Sequence, residues 1–248
     1  MKKLSVTAMV LSLWLVPAAS ALERPPLPPA AKKLDAAGIA NLYGNRRATF
    51  NNYTKDVPLS GEIIYDLAGK VMYGTYIWNN KDRGLFTGKI WAKGDRFCNK
   101  PDKGAQECVD VYLDGQIYYE VGDDGKVVSV NTILDYPPKL PASAKPASPE
   151  AFMAASNGKR VFTTIFDLDK PVVAYLKWDW KKKRVTGDFI YGGTKKGKAD
   201  TRLSVEGNMI CGINKGEKTK NCYTYCLDAD GFYEMTADGK MHAWSSFQ

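Results

Sequence analysis

The stretch "GDRFCNKPDKGAQECVDVY" (Gly94 to Tyr112) and the stretch "GNMICGINKGEKTKNCYTYC" (Gly207 to Cys226) carry the same order of features. Each has a glycine, a strand-like run, a cysteine, a lysine-bearing polar loop, a second cysteine and another strand-like run. At a constant offset residues 35–98 fall on 148–211, and residues 108–133 fall on 222–247 with one residue inserted between the cysteines. Of 90 aligned positions 18 are identical, among them Arg47/Arg160, Pro58/Pro171, Gly74/Gly187, Tyr119/Tyr233 and Glu120/Glu234. The fraction is modest, but the near-absence of gaps and the placement on cysteine, glycine and turn positions mark a duplicated domain. Copy one spans residues 35–134 and copy two residues 148–248.

Met1-Lys2-Lys3, the apolar run that follows and Ala19-Ser20-Ala21 have the order of a bacterial secretory signal peptide, so residues 1–21 are expected to be removed. Pro17 and the small residues around it cut the apolar run short of a retained anchor, and no second stretch approaches spanning length. The mature chain is expected in the periplasm or outside the cell, as a monomer with no transmembrane segment. Residues 22–34 form a proline-rich arm, and residues 135–147, "DYPPKLPASAKPA", a stiff extended spacer that would hold the copies as separate beads.

Each copy opens with helix signals. Asp35 precedes "AAGIANLYG", and Ser148-Pro149-Glu150 supplies a capping side chain, proline at the first helical position and an acid in the first turn. The helices should stop near Gly44 and Gly158. Alternation then takes over. In "VMYGTYIW" Val71, Tyr73, Thr75 and Ile77 share one face, and Met72, Gly74, Tyr76 and Trp78 the other. Similar runs separated by Asp-Gly turns predict a mainly β fold: two tandem repeats, each a short helix followed by a seven- or eight-stranded antiparallel meander closing into a small barrel or a twisted sheet. Large groups on both faces of residues 71–78 imply that one face fills the interior and the other is covered by the helix or the sister domain.

Five cysteines in an exported chain belong to an oxidising compartment. The repeat pairs Cys98 with Cys108 and Cys211 with Cys222, and leaves Cys226 as a buried free thiol. Neither pair has a second ligand pair or a histidine beside it, so no metal and no cofactor is expected.

Signatures of catalysis are missing. The single histidine, His242, falls on Val128 of copy one, a position that accepts an apolar residue. No nucleophile elbow, zinc-protease helix or phosphate loop occurs. Asp66, Asp179, Glu120 and Glu234 would serve a paired-carboxylate hydrolase or lyase on cell-wall or polysaccharide substrates if they met in one cleft. Beside Asp-Gly turns, Glu120 and Glu234 are instead expected to face solvent.

Charge is uneven. Copy one has 12 basic and 13 acidic residues, copy two 16 and 12. In copy two Lys181, Lys182, Lys183 and Arg184 sit at one end of a β-hairpin and Lys195 and Lys196 at the other. With Trp178 and Trp180 nearby, and with Tyr76 and Trp78 of copy one, these are the candidate binding residues, fit for an envelope polymer or an acidic partner protein. Nucleic acid is not the expected target in that compartment. Lysines at strand ends also serve solubility.

The glycine-led strand, "GD" or "GN" before cysteine, a short loop, the second cysteine, then "VYLDG" or "DADG" and the final "DGK" are together similar to a family of small exported proteobacterial domains of unknown function. The resemblance implies an exported β-rich domain with a disulfide, and no activity. The reading that results is a non-enzymatic binding module. A carboxylate hydrolase is one alternative, and an inhibitor of a protease or lysozyme, inserting residues 22–33, is another.

Overall fold

The computed structural model describes residues 22–248, so the leader expected over residues 1–21 lies outside the described residues. The first unit runs β1 (Lys32–Lys33), α1 (Ala36–Tyr43), β2 (Arg46–Asn52), β3 (Leu59–Asp66), β4 (Val71–Trp78), β5 (Asp82–Lys93), β6 (Arg96–Pro101), β7 (Glu107–Asp114), β8 (Ile117–Val121) and β9 (Val127–Leu134). The second repeats that order: β10 (Lys145–Ala147), α2 (Pro149–Ser156), β11 (Arg160–Ile165), β12 (Val172–Asp179), β13 (Arg184–Tyr191), β14 (Lys195–Glu206), β15 (Met209–Asn214), β16 (Asn221–Leu227), β17 (Gly231–Met235) and β18 (Met241–Phe247).

The helices start where their caps put them. The Asp35 carboxylate accepts from Gly38 N–H at 2.8 Å, and the Ser148 hydroxyl from Ala151 N–H at 3.2 Å. From β2 to β9 every strand pairs antiparallel with its sequence neighbour, and β9 returns to pair with β2. The sheet therefore closes as an eight-stranded barrel, and β11 to β18 do the same through β11 and β18. The ninth strand of each sheet is the lead-in segment. Lys32 and Lys33 pair with Leu113 and Tyr112 on the edge of β7 beyond its pairing with β6, and Lys145–Ala147 likewise extend the edge of β16. The proline-rich spacer thus ends as a strand of the second barrel.

Closure bends the walls enough that some strands approach without room for a side chain. A Cβ on Gly74 would lie 2.0 Å from the Glu62 carbonyl oxygen, and one on the equivalent Gly187 would lie 2.0 Å from that of Tyr175. Inside the first barrel Ile39, Leu42 and Tyr43 of α1 pack with Tyr65, Ile90, Phe97 and Tyr118 of the wall. Inside the second, Phe152 of α2 packs with Trp178, Ile210, Tyr225 and Phe232. The helix is the plug of each barrel. The two expected disulfides, Cys98–Cys108 and Cys211–Cys222, join residues directly opposite each other on β6/β7 and β15/β16. By the chain-entropy account each loop of this size contributes about 3 kcal/mol.

The barrels are not separate beads. Ile64, Val71 and Tyr73 of the first share a buried cluster with Val173 and Ile190 of the second, and Leu85 packs against it. The Thr87 hydroxyl donates to the Gly193 carbonyl at 2.7 Å, Tyr73 donates to the Pro171 carbonyl at 3.4 Å, and Lys196 pairs with Asp102 at 2.6 Å. At the margin Arg83 donates to Gln248, and the Arg47 guanidinium lies 5.7 Å from the centre of the Phe166 ring. The outer face of β4 is therefore covered by the sister domain, one of the two covers its composition called for.

Gly193 is the tightest point of this contact: its φ is +74°, and a Cβ there would lie 2.6 Å from Val71 and 2.7 Å from Tyr73. Gly193→Val is expected to separate the barrels while leaving each folded, with left-handed strain alone costing roughly 1–2 kcal/mol. Small-angle scattering should show a larger radius of gyration with the near-ultraviolet dichroism preserved. An unchanged scattering profile would mean that this contact does not hold the barrels together.

Candidate functional site

Glu120 and Glu234 are not solvent-facing. On β8 a two-residue period puts Glu120 on the same side as Tyr118, which is the barrel interior, and Glu120 is 8% exposed. The Tyr43 hydroxyl donates to its carboxylate at 3.0 Å, and Tyr118 donates to Tyr65 at 3.2 Å beside it. Burial is the main cause that pushes the Glu120 carboxyl up to about 7, opposed by the Tyr43 hydrogen bond and aided by the charge of Glu107. Glu234, on the equivalent strand, is partly covered as a whole residue, yet its carboxyl lies among protein atoms and burial takes it to about 7 as well. Both sheets shift register at this residue, between Glu120 and Val121 and between Glu234 and Met235. A bulge re-aims side chains, and here it recurs beside the same inward carboxylate.

His242 neighbours Glu234. Its Nδ1 lies 2.8 Å from the Asp167 carboxylate, and its ring stacks on Tyr223 with centroids 4.2 Å apart. Copy one has Val128, Thr54 and Val109 in the places of His242, Asp167 and Tyr223. The four carboxylates shared by the two copies do not converge: Asp66 accepts from Gly69 N–H, Asp179 accepts from Lys182 N–H, and the two glutamates lie in different barrels. No paired-carboxylate site forms from them.

The basic residues build a surface site. The β12–β13 turn is tightened by Asp179, by the Lys183 N–H to Trp180 carbonyl bond at 3.2 Å, and by a left-handed Lys183 at φ 49°. Lys182, Lys183 and Arg184 from this turn, Arg202 from β14 and Lys215 after β15 surround a groove of about 490 Å³ floored by Leu203. Its one acidic residue, Asp200, accepts from Arg184 Nε at 3.0 Å and from Nη2 at 2.5 Å. That bond is the main cause holding the Asp200 carboxyl below its usual range. Asp200 is thus committed to Arg184 and Lys182 lies 3.9 Å from Asp179, which leaves Lys183, Arg202 and Lys215, among the described residues, as the groove's cations without a carboxylate within 4 Å.

The structure sorts the other candidates. Lys181 is exposed beside the groove, and Lys195 is exposed at the far end of the hairpin. Lys196 is held by Asp102 at the barrel–barrel contact. Trp178 is 4% exposed in the second core, and the Trp180 indole N–H donates to Ser156 Oγ at 2.8 Å, so these two rings are packing residues. Tyr76 and Trp78 are part-buried on β4 of the first barrel and line no part of the groove. Cys226 is buried and unpaired, between β10 and β17 rather than in the interior cluster, and burial pushes its thiol up. Glu206, Cys211 and Cys222 cluster, but both sulfurs are in the disulfide.

Arg202 and Lys215 are distant in sequence from the lysine turn, and it is the β5/β6 and β14/β15 registers, not the sequence alignment, that put Lys215 in the place of Asp102. The arm is also bound rather than free: Leu27 and Ala31 pack against Tyr119, Val121 and Val127, and Arg24 pairs with Asp124. An inserting inhibitor segment would first have to leave the barrel. No protein-family model and no curated protein matches the chain.

The buried carboxyls set a pH dependence. A raised folded-state value means that the folded chain binds more protons than the unfolded chain between about pH 4.5 and 7, so stability falls as pH rises through that window. A shift of this size is worth on the order of 3 kcal/mol per carboxyl. Glu120→Gln is expected to stabilise the protein at about pH 8 and leave it nearly unchanged at about pH 4, measured by urea unfolding. Equal stability changes at both values would place the Glu120 carboxylate outside the closed interior.

Proposed function

We propose that the protein is a non-enzymatic binding module of an oxidising, exported compartment, which holds an anionic envelope component or partner protein on the basic groove of its second barrel. One observation carries this reading: five basic side chains face one groove whose only acid is already paired with Arg184. Net of the Arg184–Asp200 pair the groove is positive, and a shallow surface with an excess of one sign raises both the rate and the selectivity of capture of the opposite sign. Two disulfides fit such a compartment, and among the described residues no helix is long and apolar enough to cross a membrane. The groove is open to solvent and offers cations without a nucleophile or acid–base pair, which supports binding over turnover.

Lys183→Glu is expected to remove most of the retention of the mature protein on an anionic matrix at low salt, whereas Lys195→Glu, the same change of charge outside the groove, should leave it almost unchanged. Wild-type retention should disappear at about 0.5 M salt, where the screening length falls to a few ångströms. Equal loss in both variants would show that net charge, not the groove, is responsible.

A further inference from the structure

The contact between the barrels is head-to-tail: the first contributes a face and the second an end. The face is Ile64, Val71, Tyr73, Thr87 and Asp102; the end is Pro171, Val173, Ile190, Gly193 and Lys196. A heterologous contact between similar units leaves one face and one end unused. The unused face belongs to the second barrel, where the equivalent positions are Lys177, Arg184, Thr186, Asp200 and Lys215. The backbone confirms the equivalence. Asp102 N–H donates to the Thr87 carbonyl at 2.9 Å and Lys215 N–H to the Asp200 carbonyl at 2.8 Å. Ile90 N–H donates to Lys70 at 3.1 Å and Leu203 N–H to Lys183 at 2.9 Å, and both lysines are left-handed. Three of these five positions, Arg184, Asp200 and Lys215, line the basic groove. The groove therefore occupies the place on barrel two where barrel two itself sits on barrel one.

Another copy of the chain does not fit there. The corresponding end of barrel one presents Asn80 where Gly193 has no room for a Cβ, and Arg83 where Lys196 meets Asp102. Arg83 would face Lys215, and it is already engaged by Gln248. Ile64, Val71 and Tyr73 have become Lys177, Arg184 and Thr186. The face keeps its backbone frame while two of its three apolar contacts and its one acidic contact are replaced by cations, Tyr73 gives way to Thr186, and Thr87 gives way to Asp200, which Arg184 pairs.

Resting on the binding reading above, we infer that this face receives an acidic tight turn of a partner protein, with carboxylates where the docking end of barrel two carries lysines. A turn is the occupant because the sister face holds one, approached closely enough to exclude a side chain at Gly193; the donors that meet its carbonyls there, Tyr73 and Thr87, are Thr186 and Asp200 here, so charge takes over from those hydrogen bonds. The acidic character follows from the change of Asp102 to Lys215.

The test uses the mature two-barrel chain and two cyclised peptides with the sequence of residues 189–197. One carries Lys195→Glu and Lys196→Glu, and the other keeps both lysines. A sulfated dextran fragment serves as a polysaccharide control. The acidic turn is expected to bind with amide shifts at Lys183, Arg184, Arg202 and Lys215, at least about tenfold tighter than the lysine turn. Lys215→Asp should reverse that preference, which a merely sticky surface would not do. Equal or tighter binding of dextran sulfate at the same amides would overturn the turn and leave the binding module standing. Failure of every anionic probe to perturb the groove would overturn both.

Discussion

Everything else in this protein depends on the pairing of the last strand of each meander with the first. Once β9 lies against β2, and β18 against β11, neither sheet has an open run of strand edges, and each interior can be filled only by its own chain. The short helix ahead of each barrel supplies that filling. The same closure brings the strand that carries Glu120, or Glu234, beside both the helix and the β7 or β16 wall, so an inward carboxylate must find its partner among tyrosines of the plug or of the wall.

The two copies find that partner differently. In the first, Tyr43 of the helix reaches Glu120 and stacks on Phe97 at 3.7 Å. In the second, Ser156 stands in the place of Tyr43, and Tyr225, in the place of Val111, approaches Glu234 while stacking on Phe152 at 3.9 Å. Aromatic volume has moved from helix to strand at one position, from Tyr43 to Tyr225. It has moved from strand to helix at another, from Phe97 to Phe152. Cores tolerate exchange that preserves total volume, and these barrels preserve an aromatic stack as well. The low identity between the copies is therefore compatible with one architecture.

The helix caps, the cysteine pairing, the strand runs and the two tandem similar units were all legible, because each depends on local chemistry or on a spacing that recurs along the chain. The strand count was nearly so; what alternation could not decide was whether the meander closed, a non-local pairing between residues 46–52 and 127–134. For Glu120 and Glu234 the adjacent Asp-Gly turn points to solvent while the two-residue period that ties Glu120 to Tyr118 points inward, and the fold follows the period. Trp178 and Trp180 looked like contact residues beside a lysine turn, but a strand that enters the core carries its aromatics inward. The groove was only half legible: the turn lysines were evident, whereas Arg202 and Lys215 join them through pairing of β13, β14 and β15.

The last residues of the spacer are a strand of the second barrel, which leaves only residues 135–144 to join the two walls. A tether that short holds the barrels at an effective concentration on the order of millimolar. Docking between them can then be intrinsically feeble and still be nearly complete, with a few apolar side chains, three side-chain hydrogen bonds and one ion pair at the contact. The equivalent face on the second barrel has no leash. Whatever sits there arrives by diffusion from dilute solution, and its contacts must replace what proximity gives the first pair. A cationic rim is suited to that difference, because charge acts before contact is made.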